Sequence, residues 1–433
     1  MKKHFGLILL LAAFTCPVFA DSAYAGPSGL SAEVQVRTSL FDITCQGGGS
    51  AAEALLKELE LRFEVYNRLF RFNTSQLKGP LRVRAFTDKG AYDRYVTEKL
   101  GAAREGAVYL HYNQAEKREL IVNLGSPELD RVFPHQSFIQ FLRSNISYPP
   151  SWIREGFAIY FSNLKYNREL GNVEYEENLA WLETVKSLLR ERREPSFQSV
   201  LLADVSGPPE NFHPAAWALV SFFLNAGGNG DYFRSLTESF LLMKSEGNAA
   251  ENDQIVLDRL ISWTSLQKMH DDYAAYVMGR KTFNEIVDAG QQNYAAGNYD
   301  QAEVCFLEAL RAKPHYAPYY YLGLIAYTQK KYDIADQYYR SAELLGADKA
   351  LVQYALGVNA ASAGRNNEAV QYLNNASYLS PERYRDRVAE ILKKLAPPAA
   401  DAPVAAPSPA LPSPPAPLGL PPSSTPFAPA PGW

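Results

Sequence analysis

Residues 283–314 read FNEIVDAGQQNYAAGNYDQAEVCFLEALRAKP, and their pattern returns twice before residue 382. Gly290, Gly323 and Gly357 stand 33 and 34 residues apart. Ala302, Ala335 and Ala369 follow each glycine by 12, and Ala309, Ala342 and Ala376 follow by 19. A large residue falls between each pair of alanines: Phe306, Tyr339, Leu373. Pro314 and Pro381 close the first and third repeats, and Ala347 holds that place in the second. Small residues let two antiparallel helices approach closely, while the large one fills the gap between neighbouring pairs. Ala296-Gly297-Asn298 and Ala363-Gly364-Arg365 mark turns inside repeats. Residues 382–395 (ERYRDRVAEILKKL) have helical periodicity with a charged face and predict a capping helix. The pattern therefore predicts an all-α solenoid over residues 283–395.

Five such columns in three registers of about 34 residues resemble the tetratricopeptide repeat. The resemblance implies a protein or peptide partner lying along the first helix of each pair. Counting from the glycines, the groove candidates are Tyr294, Tyr320, Leu324, Tyr327 and Tyr354, flanked by Val287, Gln291, Leu351 and Val358. None is Lys or Arg, so an extended peptide with aromatic or aliphatic anchors suits such a groove better than a clamped carboxylate.

Upstream, residues 33–275 read as mixed α and β. Val34–Cys45 and Leu81–Phe86 alternate as strands. Ala51–Phe70 is an amphipathic helix, and another is expected near Ala91–Leu100. Ala107–Tyr112 and Glu119–Asn123 read as paired strands around a polar turn. Helices are expected at Pro127–Arg143, from Trp152 to about Lys165, and at Ala215–Leu224. The first two of these carry a constellation. His135-Gln136-Ser137-Phe138-Ile139 is followed by Pro150-Ser151-Trp152-Ile153-Arg154-Glu155-Gly156-Phe157-Ala158, which places Glu155 20 residues after His135.

This arrangement resembles the peptidase-MA-like domains, the gluzincin or thermolysin-type zinc peptidases. In those, H-E-x-x-H sets two imidazoles one helical turn apart, the intervening Glu activates the metal-bound water, and a Glu of the next helix completes the ligands. The resemblance implies an α+β gluzincin-like domain over residues 33–275. Two of the four key positions depart from the pattern. Gln136 stands where the catalytic Glu belongs, and Ile139 where the second His belongs, leaving His135 and Glu155 as vestigial ligands. A Gln side chain is no base near neutral pH, and Ile has no lone pair. The chain is thus expected to be a pseudo-metallopeptidase with no zinc or other cofactor. The alternative is a zinc-dependent metallopeptidase with a rebuilt site, for which His111 and His213 are the spare imidazoles.

Composition bounds the rest. Of 433 residues, 43 are Lys or Arg and 47 Asp or Glu, a formal charge of −4, so nothing favours nucleic acid or an anionic membrane. Three cysteines exclude a disulfide scaffold, and whether Cys45 and Cys305 pair is left open by the sequence. Met1–Ala20 reads as a secretory signal with cleavage after Ala20 or Ala25, and no later run is apolar enough to span a bilayer. An exported protein is expected, periplasmic, cell-envelope associated or secreted. Residues 397–433 hold 14 of the 28 prolines and read as an extended tail. The resulting expectation is an exported scaffold that binds a protein or peptide, with a third reading, a carbohydrate-associated scaffold, resting on the 27 tyrosines.

Overall fold

The structure is a computed structural model that describes residues 33–395 apart from 168, 176–178, 205, 206 and 227–229. The expected signal segment at 1–20 and the tail at 397–433 lie outside the described residues. The chain begins with β1 (Glu33–Arg37) and β2 (Phe41–Gln46), which pair antiparallel. The sequence pattern predicts one strand here. Instead Thr38 Oγ1 accepts the backbone N–H groups of Leu40 and Phe41, at 3.2 and 3.0 Å, and folds the run into a hairpin.

Helix α1 (Gly49–Phe70) carries the chain back to β3 (Leu81–Phe86), which lies parallel to β2. After α2 (Lys89–Leu100), the hairpin of β4 (Ala107–Leu110) and β5 (Glu119–Asn123) completes a mixed sheet in the order β1-β2-β3-β5-β4. The alternation of side chains divides its faces. Phe41, Ile43, Val83, Leu120 and Tyr109 share the face toward α1 and the next helix, α3 (Leu129–Asn145). Phe86, Leu110 and Ile121 point the other way, against Tyr92 and Val96 of α2. Every residue of β5 is buried, as a strand covered on both faces must be.

Beyond α3 come α4 (Ser151–Phe161) and a two-stranded ribbon, β6 (Leu164–Asn167) with β7 (Asn172–Tyr175). The pattern had extended α4 to Lys165. It stops at Phe161 because Ser162 Oγ and Asn163 Nδ2 both bond the Ile159 carbonyl, at 2.6 and 3.1 Å. An aromatic core joins α1, α3 and α4: Tyr66 meets Phe138 edge-on at 5.3 Å, Phe63 meets Phe141 at 5.3 Å, and Phe70 meets Phe157 at 5.0 Å.

The remainder is helical: α5 (Leu179–Glu191), α6 (Phe197–Leu201), α7 (Phe212–Asn225), α8 (Asp231–Leu242), α9 (Ala249–Ile261), α10 (Leu266–Gly279), α11 (Phe283–Ala295), α12 (Tyr299–Ala312), α13 (Tyr316–Thr328), α14 (Tyr332–Leu344), α15 (Lys349–Ser362), α16 (Asn366–Leu379) and α17 (Pro381–Leu395). From α11 on, each helix packs on its neighbour in sequence, an arrangement consistent with a helical solenoid. The glycine columns explain the fit. A Cβ on Gly290, Gly323 or Gly357 would come within 2.6, 2.4 or 2.7 Å of Phe306, Tyr339 or Leu373, so each glycine receives the large side chain of the following helix.

The chain divides into two compact units. The first takes the residues up to Tyr175 and those from Pro195 to Met269. The second takes α5, Glu194 and everything from His270 on. Helix α5 joins the second unit through Lys186, 2 % exposed, whose ammonium donates to the Arg280 carbonyl at 2.7 Å and to both carboxylate oxygens of Glu285 at 2.9 and 2.7 Å. Glu285 in turn closes a capping box with Thr282 at the start of α11.

Candidate functional site

Helices α3 and α4 bring His135 and Glu155 together as their spacing predicts. His135 Nε2 lies 3.7 Å from Glu155 Oε2, an ion-pair distance and not a hydrogen bond. Helix α4 is fixed from behind by α7, which approaches so closely that a Cβ on Gly156 would stand 2.5 Å from the Ala216 carbonyl oxygen. Trp152 and Phe157, both buried, complete the inner face of α4.

The amide of Gln136 sets the state of the site. Its Oε1 accepts the backbone N–H of Tyr109, on the edge strand β4, at 2.9 Å. Its Nε2 therefore faces His135 Nδ1, at 3.3 Å, as a donor. That leaves Nδ1 without a proton and puts the ring N–H on Nε2, toward Glu155. His135 is 3 % exposed, and burial, against the opposing pull of Glu155, pushes its pKa down to about 4. Glu155 behaves in the opposite sense. Burial works against its ionisation, but the Arg154 guanidinium, with Nε 2.7 Å from Oε1, together with the neighbouring His135 and His213, holds the carboxyl below its usual range. The site is thus a neutral imidazole beside an ionised carboxylate already paired with an arginine. Ile139, one turn after His135, is half-buried.

The two spare histidines separate. His213, at the start of α7, is near enough to act electrostatically on both His135 and Glu155. His111 instead lies with Tyr109 and Tyr148, ring centroids 6.1 and 6.4 Å away, and the charges acting on it come from Arg143, Arg118 and Arg154. Among the described residues no group of three or more His, Cys, Asp or Glu is arranged to hold a metal ion. Cys45 and Cys305 are both free thiols. A cavity of about 710 Å³ is lined by Arg82, Arg118, Gln140 and Ser144 among others, and neither His135 nor Glu155 lines it.

The groove residues require a correction. Tyr320, Leu324 and Tyr354 are 0, 1 and 2 % exposed and line no open surface. Tyr320 packs on Tyr339 at 5.4 Å, and Tyr354 stacks on Tyr384 of the capping helix α17 at 4.8 Å, so rings expected to meet a ligand fill the interior of the helical unit. Tyr294 and Tyr327 are half-buried. The first packs between Tyr299 and Tyr321, and the second meets Ser362 Oγ through its hydroxyl at 3.1 Å. The exposed apolar residues sit on the second helices instead. Leu344 and Tyr378, at the same place in successive repeats, are 88 and 85 % exposed.

Sequence spacing missed Arg154, whose position the peptidase pattern leaves open, and also Arg118 and Arg143. No periodicity connects these three, because they come from a hairpin loop and two helices. Set against known proteins, the chain matches no family model and no curated protein.

Proposed function

We propose that this chain is an exported binding protein, in which a gluzincin-like scaffold without peptidase chemistry precedes tetratricopeptide-type repeats that dock a protein partner. One observation carries this reading. The residue at the catalytic-base position, Gln136, is an amide tied to the Tyr109 N–H, and an amide does not take a proton from water near neutral pH. The pairing of Glu155 with Arg154 supports it further, since a carboxylate already neutralised is a weaker metal ligand. For the repeats, support comes from Leu344 and Tyr378, large apolar side chains presented at one repeat position.

A second reading, a metallopeptidase with a rebuilt site, is favoured by the closeness of His213 to His135 and Glu155. Metal content separates the two. Purified protein, given zinc and then dialysed without chelator, is expected to hold far less than one equivalent. One equivalent that disappears in both His135→Ala and His213→Ala would establish the rebuilt site and overturn the binding-protein reading.

A further inference from the structure

Three arginines from separate parts of the first unit lie near enough to His111 to act on it electrostatically, and one of them, Arg154, is the partner of Glu155. Arg118 closes the β4–β5 hairpin, where its Nε donates to the Tyr112 carbonyl at 2.7 Å. Arg143 is in the last turn of α3, with Nε 3.3 Å from the Ser147 carbonyl. Arg154 is on α4, its side chain 13 % exposed. The loop between α3 and α4 ties these parts together: Tyr148, in that loop, donates its hydroxyl to Asn113 Oδ1 of the hairpin at 3.0 Å.

These charges are not balanced. Arg154 has Glu155, but Arg118 and Arg143 form no ion pair with a carboxylate among the described residues. Gathering like charges in a partly buried place is unfavourable unless something of opposite sign enters. His111 stands among them with both ring nitrogens shielded from solvent and lacking any hydrogen-bond partner. A native protein rarely leaves such a group unsatisfied without a reason.

We propose that Arg118, Arg143 and Arg154, gathered around His111, bind a doubly charged oxyanion group, a phosphate or a dicarboxylate. Three guanidinium groups less one carboxylate leave two positive charges, which a dianion cancels. Guanidinium forks match the oxygens of phosphate and carboxylate alike, and the neutral imidazole supplies one more N–H. Electrostatics agrees with the geometry. Burial and then the three arginines push the His111 pKa down to about 3, and burial, Arg154 and Arg118 hold that of Arg143 down to about 10. The inference goes beyond the proposed function and does not depend on whether the protein holds zinc.

The test titrates the full chain with inorganic phosphate and, separately, with succinate, at ionic strength held constant with sodium chloride. Thermal midpoint and the His111 ring resonances are read. At least one anion is expected to raise the midpoint saturably and to shift the His111 signals, and the stronger of the two identifies the source of the oxyanion. Arg143→Gln should weaken that response at least tenfold while making the anion-free protein as stable as the wild type or more so. Arg118→Gln, on the hairpin, serves the same purpose if Arg143→Gln does not fold. No saturable response to either anion beyond chloride, or an unchanged response in both variants, would overturn the proposal.

Discussion

At the residue scale, the His135–Glu155 pairing was legible because both residues lie in patterns of fixed spacing, one helix apart. What surrounds the pair was not. That His135 is neutral depends on the orientation of the Gln136 amide, and this is set by a strand N–H some 27 residues away in sequence. The neutral state has a consequence for stability. Folded His135 has its pKa at about 4, against the ordinary 6.5 of an unfolded chain. Between those values the unfolded state binds the proton more readily, so stability falls as pH drops from about 6.5 and the loss is complete below about 4. The displacement corresponds to about 3 kcal/mol. Replacing the imidazole removes this dependence, so His135→Gln is expected to show a flatter decline of midpoint between pH 7 and 4. Parallel pH profiles for wild type and variant would mean that His135 is not the buried neutral group described here.

At the element scale, long helices with period 3.6 were readable, and boundaries set by single side chains were not. Thr38 makes two strands from one apparent strand, and Ser162 with Asn163 ends α4 early; neither residue stands out in a hydrophobic pattern. The Tyr residues of α13 and α15 show another limit. Periodicity placed them on one face, but whether that face is open depends on the ring sizes opposite, Tyr339 and Tyr384. Two substitutions test how the helices meet. Gly156→Ala puts a methyl group 2.5 Å from the Ala216 carbonyl oxygen, a backbone atom that cannot turn aside. The α4–α7 contact must open, and a loss of about 3 kcal/mol is expected in denaturant unfolding. A loss below a few tenths would show that the helices are not packed this closely. Lys330→Gly should act in the other direction. Gly297 and Gly364 take left-handed backbone at the turn inside their repeats, with φ 78 and 76°, whereas the second repeat places Lys330 there, with φ 60°. Relieving that strain is expected to stabilise the second repeat by about 1 kcal/mol, read as a higher midpoint. Destabilisation would mean that the lysine side chain makes a contact worth more than the strain.

At the scale of the whole molecule, the sequence showed a change of pattern near residue 280 but not that the second unit draws a helix from far upstream. Nothing in the composition of α5 marks it as foreign to its neighbours. The helix buries Leu182, Val185 and Leu188 and also an ammonium, Lys186, and a lysine on an otherwise amphipathic helix ordinarily reads as solvated. Lys186 is nearly inaccessible and makes three hydrogen bonds across to Arg280 and Glu285, so its replacement should act where those partners are. Lys186→Met keeps the apolar stem and removes the donors. The Arg280 carbonyl then loses its bond, while Glu285, 39 % exposed, retains Arg190 at 3.2 Å and part of its hydration. A loss of about 2 kcal/mol follows, less than for a pair buried on both sides. Hydrogen exchange locates it. Amides of α11 and α12 should exchange faster in the variant, and those of β2, β3 and β5 should keep their wild-type rates. Equal acceleration in strands and helices would show that the two units unfold as one, and unchanged rates in α11 would show that α5 does not hold the start of the helical array.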